Sequence, residues 1–265
     1  MKRIYNWLMV WYCVFLMPHL SIAQRDSLSV KLHLSGESDN TPSEAVLVFT
    51  DDNGNRYRFS TVGKENRYEI RVPKQQRCTE AVLQLESKNG KHNLAMARPL
   101  SLLIDSIDVC VDALATELEF AIVSGGKENE SYSALRMSTA EINRKMQELY
   151  LPLSRQEVKA SSAEGEFIFK EIAALAQREA ELQKAFIRDN PSLYVSMMLL
   201  YRMKNRYTSG DYASAFEALD RHYKETKMAV EMAAMIQNEA VTSVGTPAIG
   251  LKGLHRRELI SSWKI

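Results

Sequence analysis

The chain has 265 residues, of which 45% are hydrophobic and 25% charged, with a formal net charge of +1. That length suffices for one large domain or two small ones, each with its own core. Such balanced charge, with no run of Lys or Arg, argues against a nucleic-acid partner, because those binders concentrate cations to displace counterions from phosphates.

The N-terminus reads as a secretory leader over residues 1–23. Lys2 and Arg3 give it a positive start, Trp7 to Met17 is unbroken apolar sequence, and Pro18 ends any helix. Ser21-Ile22-Ala23 has the small-x-small pattern of a signal-peptidase site, which places the cut before Gln24. The apolar run would rise only about 16 Å as a helix, roughly half the hydrocarbon core, so no permanent membrane anchor is expected after cleavage. Cys13 lies inside that run and is preceded by bulky residues, which disfavours a lipid-modified cysteine. The expected location is periplasmic or otherwise exported.

From residue 24 to 126 the period is two. Leu28, Val30, Leu32 and Leu34 alternate with Ser29, Lys31 and His33, as on a strand with one buried face. Ala45 to Phe49 predicts a strand covered on both faces, Asp52-Asn53-Gly54 a hairpin turn, and Tyr57 and Phe59 the next strand. Tyr68, Ile70 and Val72 form another, ended by Pro73, and Ala81 to Leu85 one more, closed at Asn89-Gly90. Further strands are expected around Leu94, Leu103, Val109 and Phe120. Short strands without helical interruption predict an antiparallel β-sandwich or open barrel. A parallel sheet would need intervening helices.

Gly125-Gly126 marks the change to helical period and reads as a hinge between halves. Over residues 127–243, Leu135, Ile142, Met146 and Leu149 share a stripe on a helix stopped at Pro152. Ile168, Ile172, Leu175, Leu182 and Phe186 share another. Asn190-Pro191 reads as N-cap and first position of a helix reaching about Met203. Ser209-Gly210-Asp211 precedes a helix with Tyr212, Ala215, Phe216 and Leu219 on its apolar side, and Thr226 can cap a last helix with Met228, Met232 and Met235. Those methionines read as core filler. The fold class is therefore α+β, a sandwich followed by a helical region.

The search for chemistry yields no catalytic, cofactor-binding or metal-ligating residues, so a cofactor is not expected. His33, His92, His222 and His255 are mutually isolated in sequence and lack metal-ligand spacing. His33 reads as a solvent-facing strand residue. No nucleophile elbow, dinucleotide fingerprint or phosphate loop occurs. Asp51-Asp52 read as turn residues, and Glu179 and Glu181 as a solvated helix face. Tyr57 and Tyr68 read as core, with sugar stacking as the alternative. Cys78 and Cys110 lack the C-x-x-C spacing of a redox centre. In an oxidising compartment either a structural disulfide between them or two separate thiols is open.

The order of these pieces, with Gly36 through Asp52-Asn53-Gly54, Val123-Ser124-Gly125-Gly126, Phe186-Ile187-Arg188-Asp189-Asn190-Pro191 with Val195-Ser196, and Val244-Gly245-Thr246-Pro247-Ala248, resembles the N-terminal half of exported thioredoxin-like proteins of the TlpA/ResA type. The resemblance implies an accessory β-sandwich domain of unknown function, then helices, ahead of a thioredoxin domain. After Ala248 the family's Pro-Asp-Phe is missing, and no W-C-x-x-C precedes Ile265. Residues 244–265 are thus read as a remnant linker, with 249–265 poorly ordered because a lone strand leaves its backbone groups unpaired. A truncated or frameshifted gene would give the same sequence.

The resulting expectation is a non-catalytic exported scaffold or interaction protein, not an enzyme, with a protein partner in the cell envelope. A fragment or partner of a split thiol-disulfide oxidoreductase, and an envelope glycan-binding module, are the alternatives. N-terminal sequencing of the exported protein should begin at Gln24; recovery of an intact Met1 would overturn the cleavage-site reading.

Overall fold

The computed structural model describes residues 27–36, 44–51, 53–86 and 98–242. The leader, the Asn89-Gly90 turn, the strand expected at Leu94, the histidines His92 and His255, and the linker 244–265 all lie outside these residues.

The alternating segments build two four-stranded sheets. One is ordered β4-β1-β7-β8, from β4 (Arg67–Pro73), β1 (Ser27–Ser35), β7 (Val109–Leu114) and β8 (Ile122–Ser124). The other is ordered β3-β2-β5-β6, from β3 (Arg56–Val62), β2 (Glu44–Thr50), β5 (Thr79–Glu86) and β6 (Leu100–Ile104). Leu28, Val30, Leu32, Leu34, Ile70 and Val111 of the first sheet share one core with Ala45, Leu47, Leu83 and Leu102 of the second. Burial of these side chains, at ~25 cal/mol per Å² of apolar surface, is the main force holding the layers together.

Pairing is antiparallel except between β1 and β7, which run parallel with Val30 opposite Val109. The sheets are thus dominated by antiparallel pairing, as expected of the sandwich, and the helices that follow make the fold α+β, with this one parallel pair as the addition. A parallel neighbour needs a long crossover, and here the chain that forms the opposite sheet supplies it, so no helix is required. A second tight turn escaped the sequence reading. Lys64 and Arg67 exchange both backbone hydrogen bonds at 3.0 Å around Glu65 and Asn66, whose φ angles are positive. It sends β3 of one sheet directly into β4 of the other.

Phe120 does not lie in a strand. Leu118–Phe120 is a 3-10 turn, and β8 follows it. The Arg144 guanidinium stands 4.6 Å from the Phe120 ring, and Arg144 also pairs with Glu117 at 2.8 Å. Gly125-Gly126 is a tight corner. A Cβ on Gly125 would fall 2.2 Å from the Asp108 carbonyl oxygen, and both glycines have positive φ, so the chain can turn here only without side chains.

Five helices follow: α1 (Lys127–Ser154), α2 (Ala163–Asp189), α3 (Tyr194–Arg202), α4 (Ser209–Ala218) and α5 (Lys227–Thr242). Pro152 sits inside the last turn of α1 instead of stopping it. Asn190 closes α2 and does not open α3. Its backbone N–H and its side-chain amide both donate to the Phe186 carbonyl, at 2.9 and 3.0 Å, while the Ser196 hydroxyl donates to the Asn190 carbonyl at 2.6 Å. On α2 the buried stripe is Ile168, Ala180 and Ile187, and Leu182 is exposed, a difference of one helical face near the C-terminal end. Ser209-Gly210-Asp211 form the first turn of α4 and do not precede it, and Thr208 caps the helix by accepting from the Asp211 N–H. Thr226 does cap α5, through the Ala229 N–H at 3.3 Å.

The two halves meet along α1. Strands β6 and β8 are edges of their respective sheets on the same side of the sandwich, and α1 runs along both. Asn129 donates to the Leu103 carbonyl at 2.7 Å and accepts from the Leu103 N–H at 2.9 Å, as a neighbouring strand would. One turn on, the Ser133 hydroxyl accepts from the Val123 N–H at 2.8 Å and donates to its carbonyl at 3.0 Å. Arg136 then donates to the carbonyls of Ala121 and Ser101, bridging the two sheets. Replacing Asn129→Ala strands both Leu103 groups in a buried place. Urea unfolding should show a loss on the order of 3 kcal/mol. A loss below about 1 kcal/mol would mean that the seam is not formed.

Candidate functional site

Where the loops of the sandwich meet the ends of the helices there is a cleft of about 780 Å³. The β2–β3 hairpin supplies Asp51, Asn53 and Gly54, the β4–β5 loop supplies Gln76, Arg77 and Cys78, and the β6–β7 turn supplies Asp105 and Ser106. The helical side contributes Glu128, Tyr194, Tyr201, His222, Tyr223, Lys227 and Glu231.

Glu128, in the first turn of α1, organises the helical wall. Its oxygens accept from the N–H groups of Tyr194 at 2.9 Å and Val195 at 3.1 Å, which open α3, and from the Tyr223 hydroxyl at 3.3 Å. A carboxylate satisfies the otherwise unpaired N–H groups of a helix start and lies at the favourable end of its dipole. Here it does so across 66 residues of sequence, since α3 has no capping side chain of its own. Burial and the Glu128 carboxylate both push the Tyr223 phenol up, so it stays a neutral donor. Tyr223 in turn meets the Tyr194 ring edge-on at 5.7 Å and the His222 ring at 5.3 Å. Tyr201 donates to Glu231 at 3.0 Å, and that hydrogen bond raises its pKa.

The other wall is equally tied. Asp51 accepts from the side chain of Asn55 at 3.0 Å and from the N–H groups of Asn53 and Asn55, and these bonds, led by the Asn55 amide, hold its carboxyl below the usual range. A lowered folded pKa means that this turn is supported at and above the ordinary carboxylate range and loosens as pH falls through the lowered value. Asp105 accepts from the Ile107 N–H at 2.8 Å.

Of the residues singled out from sequence, Cys78, His222 and Asp51 come together at this cleft, and Met228 lines it beside them. Cys110 does not. It is exposed on β7, and both cysteines are free, so the structure takes the two-thiol alternative over the disulfide. His33 is exposed, as read, and lies 3.2 Å from Asp112 across the β1–β7 pair. Tyr68 is core, and Tyr57 stacks on Phe49 at 5.1 Å, so neither offers a free platform. Glu179 is not simply solvated, for it accepts from Asn143 of α1 at 3.0 Å. Of the three methionines read as core filler, Met232 is buried, while Met228 and Met235 are half-buried. The reading of sequence missed Glu128, Tyr194, Tyr201, Tyr223 and Glu231. The acidic residue just after Gly125-Gly126 was the one available signal, since carboxylates favour helix starts.

Among the described residues no group of three or more His, Cys, Asp or Glu could hold a metal ion, and no helix is long and apolar enough to cross a membrane. The chain matches no family model, no curated protein and no solved structure.

Burial pushes the Cys78 thiol up, with the carboxylates of Glu128 and Asp105 adding to the effect. Cys78 is therefore a poor nucleophile. With iodoacetamide at pH 8, mass spectrometry should find Cys110 alkylated well before Cys78 in the folded protein, and the two alike in urea. Faster labelling of Cys78 would contradict the buried, carboxylate-flanked placement.

Proposed function

We propose that this protein is a non-catalytic scaffold or interaction protein of the bacterial envelope, corresponding to the accessory half of a thioredoxin-like protein. The leader at residues 1–23 supports the location, and the motifs from Gly36 to Ala248 support the relationship. The observation that carries the reading is how the carboxylates and the thiol of the cleft are committed. Asp51, Asp105, Glu128 and Glu231 each accept hydrogen bonds from the protein itself, and the Cys78 thiol is held protonated. A general acid or base needs a pKa near the working pH and access to a proton on substrate, and a thiol nucleophile needs its thiolate. Groups tied in this way suit a rigid, pre-formed binding surface. A fixed surface also suits an adaptor, whose partner then forfeits little free energy in ordering it.

The decisive measurement is insulin reduction by dithiothreitol with and without the purified protein. The expected rate equals the blank, while a pull-down from envelope extract recovers a specific protein partner. Catalytic turnover of insulin would overturn the scaffold reading in favour of a thiol-disulfide oxidoreductase component.

A further inference from the structure

The composition of the cleft wall is unusual for a pocket of its size. Ligand sites of several hundred Å³ are lined mostly by aliphatic and aromatic side chains. Among the described residues the lining of this cleft holds no Leu, Ile, Val or Phe. Tyr194, Tyr201 and Tyr223 line it with Met228, and around them stand planar donors and acceptors in mixture: carboxylates, amides, a guanidinium and an imidazole. A lipid or an apolar peptide side chain would find little aliphatic surface beyond Met228 to replace the water it loses. A densely charged ligand of either sign would meet groups of its own sign, because Asp105 and Glu231 share the lining with Arg77 and Lys227.

A ligand that combines apolar C–H faces with many neutral hydroxyls, each able to donate and accept, meets neither objection. We infer that the cleft binds a short oligosaccharide. This inference rests on the reading of the protein as a non-catalytic interaction protein and adds a class of ligand to it. The rings are prepared for the task. Tyr223 and Tyr201 are each fixed through the phenol oxygen, to Glu128 and Glu231, at 3.3 and 3.0 Å. Fixing an aromatic before the ligand arrives removes the ordering cost from the binding step. Glu231 accepts Tyr201 at Oε2, and its Oε1 is the acceptor for a sugar hydroxyl. His222 and Lys227 are both exposed at the rim and supply donors. The cavity of about 780 Å³ exceeds what one monosaccharide fills, which points to a chain end or an internal stretch of a glycan.

The experiment is titration calorimetry of the full-length purified protein with maltotriose, cellotriose and chitotriose, preceded by a glycan array to extend the choice of probe. Saturable binding to at least one glycan is expected. Tyr223→Ala should weaken it by roughly tenfold through loss of ring contact. Tyr223 also holds Glu128, so His222→Ala, which keeps the hydrogen bonds to Glu128 and removes only one ring contact of Tyr223, is the companion variant and should weaken binding by about threefold or more. Circular dichroism must show both variants folded. The inference is overturned if no glycan on the array or in the titrations binds, or if binding occurs but His222→Ala and a folded Tyr223→Ala leave it unchanged. It is equally overturned if the cleft is instead occupied by a peptide whose capture both variants abolish. Any of those results leaves the non-catalytic reading standing, because that reading fails only on insulin turnover.

Discussion

A β-sandwich has to do something with the edges of its sheets, and here the answer organises the whole molecule. An exposed edge presents unpaired N–H and C=O groups that invite another strand. On one side of this sandwich the edges β6 and β8 are met by a helix, which cannot offer backbone partners. Side chains do so instead. Asn129 carries a donor and an acceptor in the spacing of a peptide group and pairs with both backbone groups of Leu103. Ser133 does the same at Val123, and Arg136 spans from Ala121 to Ser101. These residues fall at i, i+4 and i+7, one face of a helix, so a single rigid element registers against both sheets at once.

Everything C-terminal takes its position from that registration. With Asn129 fixed, the preceding residue Glu128 is fixed too, and it receives the start of α3. Helix α3 is buried on all sides from Val195 to Leu200, which marks it as the central helix, with α2, α4 and α5 packed around it. Its entry depends on a short local device, Asn190-Pro191 followed by Ser196. Asn190 ends α2, Pro191 has no N–H with which to continue it, and Ser196 secures the turn by donating back to Asn190. Arg202, at the far end of α3, reaches Glu80 of β5 and ties the bundle to the sheet. The cleft is the space left between sandwich loops and helix ends once these constraints are met.

This hierarchy explains what could be read from sequence and what could not. Period-two burial is dictated by strand geometry, so Leu28 to Leu34 and Tyr68 to Val72 announced their faces directly. Helical stripes were legible for the same reason. The errors came where one residue type serves two structural purposes. Asn190 caps either end of a helix, Pro152 is tolerated in a last turn, where its own carbonyl still accepts from the Glu157 and Val158 N–H groups, and Phe120 lies in a 3-10 turn where a strand is equally compatible with its ring. The seam was invisible for a deeper reason. Asn129, Ser133 and Arg136 are polar residues on a buried helix face, and polarity on a helix ordinarily signals solvent. Likewise Glu128, Tyr194 and Tyr223 are spread over 95 positions and converge only through the fold.

The same convergence constrains how the cleft can work. Its two walls belong to the two halves that α1 joins, so any ligand that touches both walls adds contacts across the seam. Binding to the folded form alone stabilises it by RT ln(1 + [L]/Kd), about 2.7 kcal/mol at a hundredfold excess over Kd, and that gain falls on the joint itself. Since Glu128 anchors both the wall residue Tyr223 and the start of α3, the geometry of the cleft and the seating of the central helix share one carboxylate. A wall built this way cannot rearrange freely without unseating α3. It can present one fixed surface with little ordering cost, which is the property that recognition requires.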